Sequence, residues 1–139
     1  MGGELIVQIL SHAPWVRDPG KRLILQPMSK AEVLRSYLSN EGFAILQEEA
    51  VRSLGRIYSV MRCGYTGKKI QSGILDIYTG ALQPGDRPLD REYIETVCRN
   101  LQKKANGLHA AGNETEAQPL FNLITALQKR AGIIKGGTD

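Results

Sequence analysis

Met1-Gly2-Gly3-Glu4-Leu5-Ile6 and, further on, Arg22-Leu23-Ile24-Leu25-Gln26-Pro27 decide the fold class. The first stretch is a Gly-Gly turn running into Leu5, Ile6, Ile9 and Leu10 at helical spacing. This predicts a helix over residues 4–12, with Glu4 at the positive end of its dipole. Ala13-Pro14 stops it, and Asp18-Pro19-Gly20 signals a turn. The second stretch is a short apolar run without polar alternation, as expected of a strand covered on both faces in a parallel sheet. Gln26-Pro27 ends it. A tight turn that itself calls for a preceding strand, then a helix, then such a strand, reads as the second half of an α/β fold. The front half of such a fold commonly holds a cofactor.

Working outward, Ser29-Lys30-Ala31-Glu32 reads as a capping box, with Ser29 capping a helix and Glu32 reaching back. That helix runs through Val33, Leu34, Tyr37 and Leu38 and ends at Asn40-Glu41-Gly42. Residues 43–50 and 56–62 are strand candidates; Phe43, Ile45 and Gln47 alternate on the first, and Ile57-Tyr58-Ser59-Val60 form the second. Arg52-Ser53-Leu54-Gly55 is the connecting turn of an antiparallel hairpin. Residues 63–88 are rich in glycine and turn signals. Their one apolar island, Ile74-Leu75-Asp76-Ile77-Tyr78, reads as an extended lead into the tail. From Asp90 the pattern is helical. Tyr93, Ile94, Val97, Leu101 and Ala105 make one stripe, and Ala117, Leu120, Phe121, Ile124, Leu127 and Ala131 a second. With Ala111-Gly112-Asn113 between them they predict an antiparallel helical hairpin, with Pro119 in about the first turn of its second helix. The end of the chain from Ile133 is expected to fray. The organisation is a distal half-domain over 1–62, a basic connector over 63–88 and a helical hairpin over 89–139.

The composition is that of an ordinary globular chain, 42% hydrophobic and 23% charged. No apolar run approaches a membrane span, no signal peptide is visible at the start, and Ile6 stands where a myristoylation site wants Ser or Thr. A cytoplasmic location is expected. Cys63 and Cys98 are far apart and read as buried, unpaired thiols of a reducing compartment. The net charge of +4 is concentrated in residues 52–88, in Arg52, Arg56, Arg62, Lys68, Lys69 and Arg87. Such a surface attracts polyanions such as RNA, although a solvated face without special purpose is the commoner explanation of charge alone.

Gln26 and Pro27 lie at the carboxyl end of a strand, the edge at which open α/β sheets bind ligands; a simple strand stop reads nearly as well. Arg56 and Tyr58 could touch RNA, with Tyr58 better suited to packing in the hairpin. Arg91, Arg99, Lys103 and Lys104 would face solvent on the first tail helix and could meet phosphates, or form an ordinary solvated face beside Glu92 and Glu95. His12 and His109 lack metal-ligand spacing, Ser11-His12 would point different ways on a helix, and there is no P-loop, so neither a metal nor a nucleophile–base pair is expected.

Taken in order, Met1-Gly2-Gly3-Glu4-Leu5-Ile6, Arg22-Leu23-Ile24-Leu25-Gln26-Pro27-Met28, Leu34-Arg35-Ser36-Tyr37-Leu38, Glu41-Gly42-Phe43 and Gly55-Arg56-Ile57-Tyr58 resemble the bacterial tRNA (adenine-22-N1)-methyltransferase family, TrmK-like, over nearly the whole chain. Pro88-Leu89-Asp90-Arg91-Glu92-Tyr93-Ile94 resembles the start of that family's C-terminal coiled-coil pair. The resemblance implies the C-terminal half of a Rossmann-like, S-adenosylmethionine-dependent methyltransferase fold followed by a two-helix appendage that helps hold tRNA. It implies that Met1, Gly2 and Gly3 form the turn that meets the target base. The family's cofactor turn has no counterpart here: neither Gly64-Tyr65-Thr66-Gly67 nor Lys69-Ile70-Gln71-Ser72-Gly73 reads as following a strand and opening a helix. S-adenosylmethionine is therefore expected to bind the complete family enzyme and not this chain alone. The chain would begin inside the turn after the fourth strand, and would be inactive by itself. A non-catalytic RNA-binding or assembly module, or one half of a split enzyme, is the alternative. Partners implied are tRNA, the missing N-terminal half, or a second copy at an exposed sheet edge.

Overall fold

The computed structural model describes residues 1–133. It divides into two compact units, Met1–Leu82 and Gln83–Asp139. The frayed end expected from Ile133 lies, past that residue, outside the described residues.

In the first unit, helix α1 (Gly3–Ser11) leads through a 3₁₀ turn (Pro14–Arg17) to strand β1 (Leu23–Leu25), helix α2 (Ala31–Asn40), strands β2 (Phe43–Ser53) and β3 (Arg56–Tyr65), and helix α3 (Ile74–Thr79). The sheet order is β1-β3-β2, and both pairings are antiparallel. Helices and a small sheet together are the α/β arrangement expected, but β1 has no parallel neighbour among the described residues. Nor is it covered on both faces, since Ile24 is 66% exposed. Its inward residue Leu23 joins Ile6, Leu10, Leu34, Leu38 and Met61 in one core between the helices and one face of the sheet. Burying these side chains stabilises the unit by roughly 1.5–3 kcal/mol each.

The predicted hairpin forms, and both strands run three residues further than expected. Its inner register differs. The ladder shifts between Ile45 and Gln47, so Leu46 is an extra, bulged residue. Past the bulge, Glu48 takes the inward position that alternation assigned to Gln47, and Glu48 is 1% exposed. The capping box is also corrected. The residue before α2 is Lys30, in the left-handed region at φ 51°, and no side chain caps the helix. The Ser29 carbonyl is instead an acceptor for the Gly3 N–H at 2.7 Å. The island at Ile74–Tyr78 is helical rather than extended.

That short helix is held from outside. The Arg35 guanidinium donates from Nη1 to the carbonyls of Ile77 at 2.9 Å and Tyr78 at 3.1 Å, at the negative end of α3. Its Nε and Nη2 donate to Glu48 Oε2 at 3.0 and 2.6 Å. Glu48 also accepts from Ser59 Oγ and, through Oε1, from the Ala81 N–H at 3.0 Å. One buried carboxylate therefore ties α2, β2, β3 and the end of α3 together.

The second unit is the expected helical hairpin, α4 (Pro88–Ala110) and α5 (Glu114–Arg130). Pro88 occupies the first turn of α4, where its missing N–H costs nothing. The buried Asp90 carboxylate accepts from the Gln83 N–H and from Arg87 Nε, both at 2.8 Å. Asn113 caps α5 by accepting from the Glu116 N–H at 3.3 Å. Ile94, Cys98 and Ala105 of α4 are buried, as are Ala117, Ile124 and Leu127 of α5. Pro119 lies deeper than expected, inside α5 beyond its first turn.

Candidate functional site

Two stretches that the sequence marked separately meet in space. The Met28 N–H donates to the Met1 carbonyl at 2.8 Å, and the Gly3 N–H to the Ser29 carbonyl at 2.7 Å. Met1–Gly3 thereby runs beside Met28–Ser29, at the carboxyl end of β1 and at the starts of both α1 and α2. The glycines serve close approach rather than an unusual dihedral, since Gly2 is extended at φ −77°. A Cβ on Gly3 would collide with the Lys30 carbonyl, and one on Gly2 would lie 2.8 Å from Ser29 Oγ. Gly3 and Pro27 are buried, while Met1 and Gln26 are exposed. The result is a firm backbone floor with two projecting side chains, next to two positive helix ends.

The register locates the other predicted residues of this unit. Leu25 lies opposite Met61 in an antiparallel pair, so the chain after Leu25 heads toward the start of β3. The hairpin turn Leu54-Gly55 and the exposed Arg56 therefore lie at the same end of the sheet as Gln26. Arg56 lies five residues before Met61, so it is about 16 Å beyond the rung of Leu25 at ~3.3 Å per residue. Tyr58 is half-buried, on the rung opposite Val51.

In the second unit, Arg91, Arg99, Lys103 and Lys104 are all exposed on α4. Arg91 Nε stands 3.9 Å from Glu95, and Arg99 Nη2 donates to Thr96 Oγ1 at 3.0 Å. Arg99 also borders a groove of about 300 Å³ with Glu95, Gln102, Ile124 and Gln128. A cavity of about 330 Å³ in the first unit lies at the far end of the sheet, against Phe43, Ile45, Ile70, Asp76 and Ile77, and none of the predicted site residues borders it.

Nucleophilic chemistry finds no support. Burial, then the nearby Glu48 carboxylate, pushes the Cys63 thiol up to about 12. Cys98 is raised by burial and Glu95. Both thiols are free and buried, as the sequence predicted. Ser11 and His12 do approach, at 3.2 Å between Oγ and Nδ1, contrary to the expectation that they diverge. Both groups bond the Gln8 carbonyl at 2.8 Å, so Nδ1 acts there as a donor and cannot serve as a base to the serine. Among the described residues no group of three or more His, Cys, Asp or Glu is placed to hold a metal. No helix there is long and apolar enough to cross a membrane.

A nucleotide-type cofactor needs a strand, a glycine-rich turn with free N–H groups, and a helix. Contrary to the sequence reading, the glycine-bearing stretch from Thr66 to Gly73 does follow a strand and open a helix. It still makes no cradle of that kind, because it carries no Gly-x-Gly turn and several of its amides are engaged within the fold. Thr66 and Gly67 donate to the Gly42 carbonyl at 2.9 and 3.0 Å, and Ile70 donates to the Ser39 carbonyl at 2.8 Å. The other strand-to-helix loop, Gln26 to Lys30, contains no glycine. The residues present do not fit S-adenosylmethionine.

Comparison with known proteins agrees with this partial architecture. A family model described as a methyltransferase domain matches residues 1–61. Among curated proteins, none matches by sequence. Among solved structures, a Streptococcus pneumoniae protein described as a candidate tRNA (m1A22) methyltransferase, in complex with S-adenosyl-L-methionine, is 26% identical with a TM-score of 0.69, over 94% of this chain and 56% of that one. The Bacillus subtilis m1A22 tRNA methyltransferase TrmK is 21% identical with a TM-score of 0.76, over 94% and 60%. A Streptococcus agalactiae protein of the NADB-Rossmann superfamily is 21% identical with a TM-score of 0.75, over 94% and 56%. The chain thus spans 56–60% of the length of these structures. Over nearly all of its own length, it resembles in fold a part of the TrmK-type tRNA (m1A22) methyltransferases.

Proposed function

We propose that the chain is the C-terminal part of an S-adenosylmethionine-dependent tRNA (adenine-N1)-methyltransferase acting on adenine 22 in the cytoplasm, and that alone it holds tRNA but performs no transfer. The observation that supports this reading is the backbone pairing of Met1–Gly3 with Met28–Ser29 at the carboxyl end of β1. N1 of adenine already carries a lone pair, so what the protein must supply is placement of an extruded base. A floor of glycine backbone admits a flat base closely, and Gln26 stands at its edge to bond the base or its ribose. Arg56 in the first unit, and Arg91, Arg99, Lys103 and Lys104 on the coiled-coil-like appendage, would meet phosphates.

The second reading is one half of a split enzyme or a non-catalytic RNA-binding module. The outer edge of β1, unpaired among the described residues, favours the split form, because a strand supplied in trans would complete it. Calorimetric titration tests the main proposal. The chain should give no heat with S-adenosylmethionine and salt-dependent binding with a tRNA transcript. Micromolar cofactor binding overturns the placement of the cofactor, and absence of tRNA binding overturns the RNA reading. Adenine 22 is checked by reverse transcription of host tRNA, where disrupting the gene should abolish the stop at that position.

A further inference from the structure

The tip of the β2–β3 hairpin is built against its own backbone preference. Ser53 pairs with Arg56, so Leu54 and Gly55 are the two central residues of the turn. Both have positive φ, 51° and 77°. Such a turn favours Asn, Asp or Gly at its first central position, because the left-handed region presses an L-residue's Cβ toward the following carbonyl. Asn and Asp offset this with a local side-chain hydrogen bond, and leucine cannot. Packing does not compensate either, since Leu54 is 101% exposed. An apolar side chain held in a strained turn and wholly in water points to a role outside folding.

The flanks suggest what that role is. Arg52 and Arg56 are both exposed. Arg52 lies opposite Ile57 and Ser53 opposite Arg56, so the two arginines occupy adjacent rungs and point to opposite faces of the ribbon. The leucine at the apex therefore has a cation on either side. The register also carries this tip beyond the sheet end where Met1–Gly3 meets Met28–Ser29.

We propose that Leu54 is an apolar wedge that enters the base stack of a structured RNA bound at this end of the sheet, with Arg52 and Arg56 on the phosphates to either side. This rests on the RNA reading above and adds a contact to it. Single Leu, Ile, Met or Phe side chains unstack base steps in this manner, and flanking phosphates require cations. A lipid surface is a poorer match, because even a whole myristoyl chain binds membranes only marginally and one leucine buries far less.

Leu54→Asn in the full chain is the test. Asparagine suits the turn, so the melting temperature should equal or exceed that of the wild type. Affinity for a tRNA transcript should fall about ten-fold, within the range of one lost stacking contact, with an unchanged slope of log K against log salt. Arg56→Gln should instead reduce that slope by about one. A transcript carrying 2-aminopurine should brighten on binding the wild type and not on binding L54N. If L54N binds as tightly as the wild type, the wedge is overturned and the RNA reading stands; if the wild type binds no tRNA, both fall. Vesicles of phosphatidylserine and phosphatidylcholine provide the counter-arm. Leu54-dependent sedimentation with them, at unchanged RNA affinity, assigns the tip to a lipid surface and overturns the proposal.

Discussion

At Gly3 a side chain is excluded by backbone, and at Gly2 only by a hydroxyl that can rotate away. Gly3→Ala should therefore lower stability by about 1–3 kcal/mol, whereas Gly2→Ala should change it by less than about 0.5 kcal/mol. Urea midpoints measure both, and equal effects would refute the geometry. Cys63 gives a pH prediction with a definite sign. Its folded-state value is raised from 9.0 to about 12, so the unfolded thiol ionises first. Its contribution is complete below pH 9 and is lost as pH rises toward 12, at ~1.4 kcal/mol per pH unit. Cys98 shifts in the same direction, so the comparison is wild type against Cys63→Ala, whose alkaline loss should be shallower. Burial of both thiols was expected in the sequence from their wide separation and a reducing compartment. The strain at Leu54 was not, because a turn type depends on which residues pair across it.

At the scale of elements, the buried Arg35–Glu48 pair, 3% and 1% exposed, locks α3 in place. Arg35→Met leaves the Glu48 charge buried without its partner and should cost about 3–5 kcal/mol. Amide exchange in residues 74–81 should rise with it, because the bonds to the Ile77 and Tyr78 carbonyls are lost together. Replacing both residues by apolar ones of similar volume should cost much less than the two single changes summed. Unaltered exchange in α3 would show that the helix stands without the lock. The helices α1, α2, α4 and α5 were legible from apolar spacing, and the hairpin from its strand formers and the turn read over Arg52–Gly55, which the pairing of Arg52 with Ile57 and Ser53 with Arg56 narrows to Leu54-Gly55. Helix α3 was not, since six residues carry too little periodicity and its stability comes from a distant arginine. The bulge at Leu46 escaped for a related reason. An extra residue is defined only against the partner strand, and it decides that Glu48 rather than Gln47 turns inward.

For the whole molecule, β1 and β2 are the edge strands of the sheet among the described residues, and Ile24 stands exposed on β1. We expect concentration-dependent self-association in light scattering, reduced by Ile24→Lys at unchanged melting temperature. A chain that stays monomeric at every concentration and unfolds in one cooperative step would count against an incomplete domain. The sequence by itself determined most of the elements, their α/β class, the burial of the thiols and the likeness to TrmK-type methyltransferases, because periodicity, turn chemistry and motif order are local properties carried along the chain. Only the tertiary structure decided that Met1–Gly3 and Met28–Ser29 share backbone hydrogen bonds, that β1 pairs antiparallel with β3, that Glu48 is the inward carboxylate, and that the hairpin tip overhangs the same end of the sheet. Each of these is a relation between residues remote in sequence. Long-range pairing and the exclusion of side chains by another segment's backbone set them, and no local pattern encodes either.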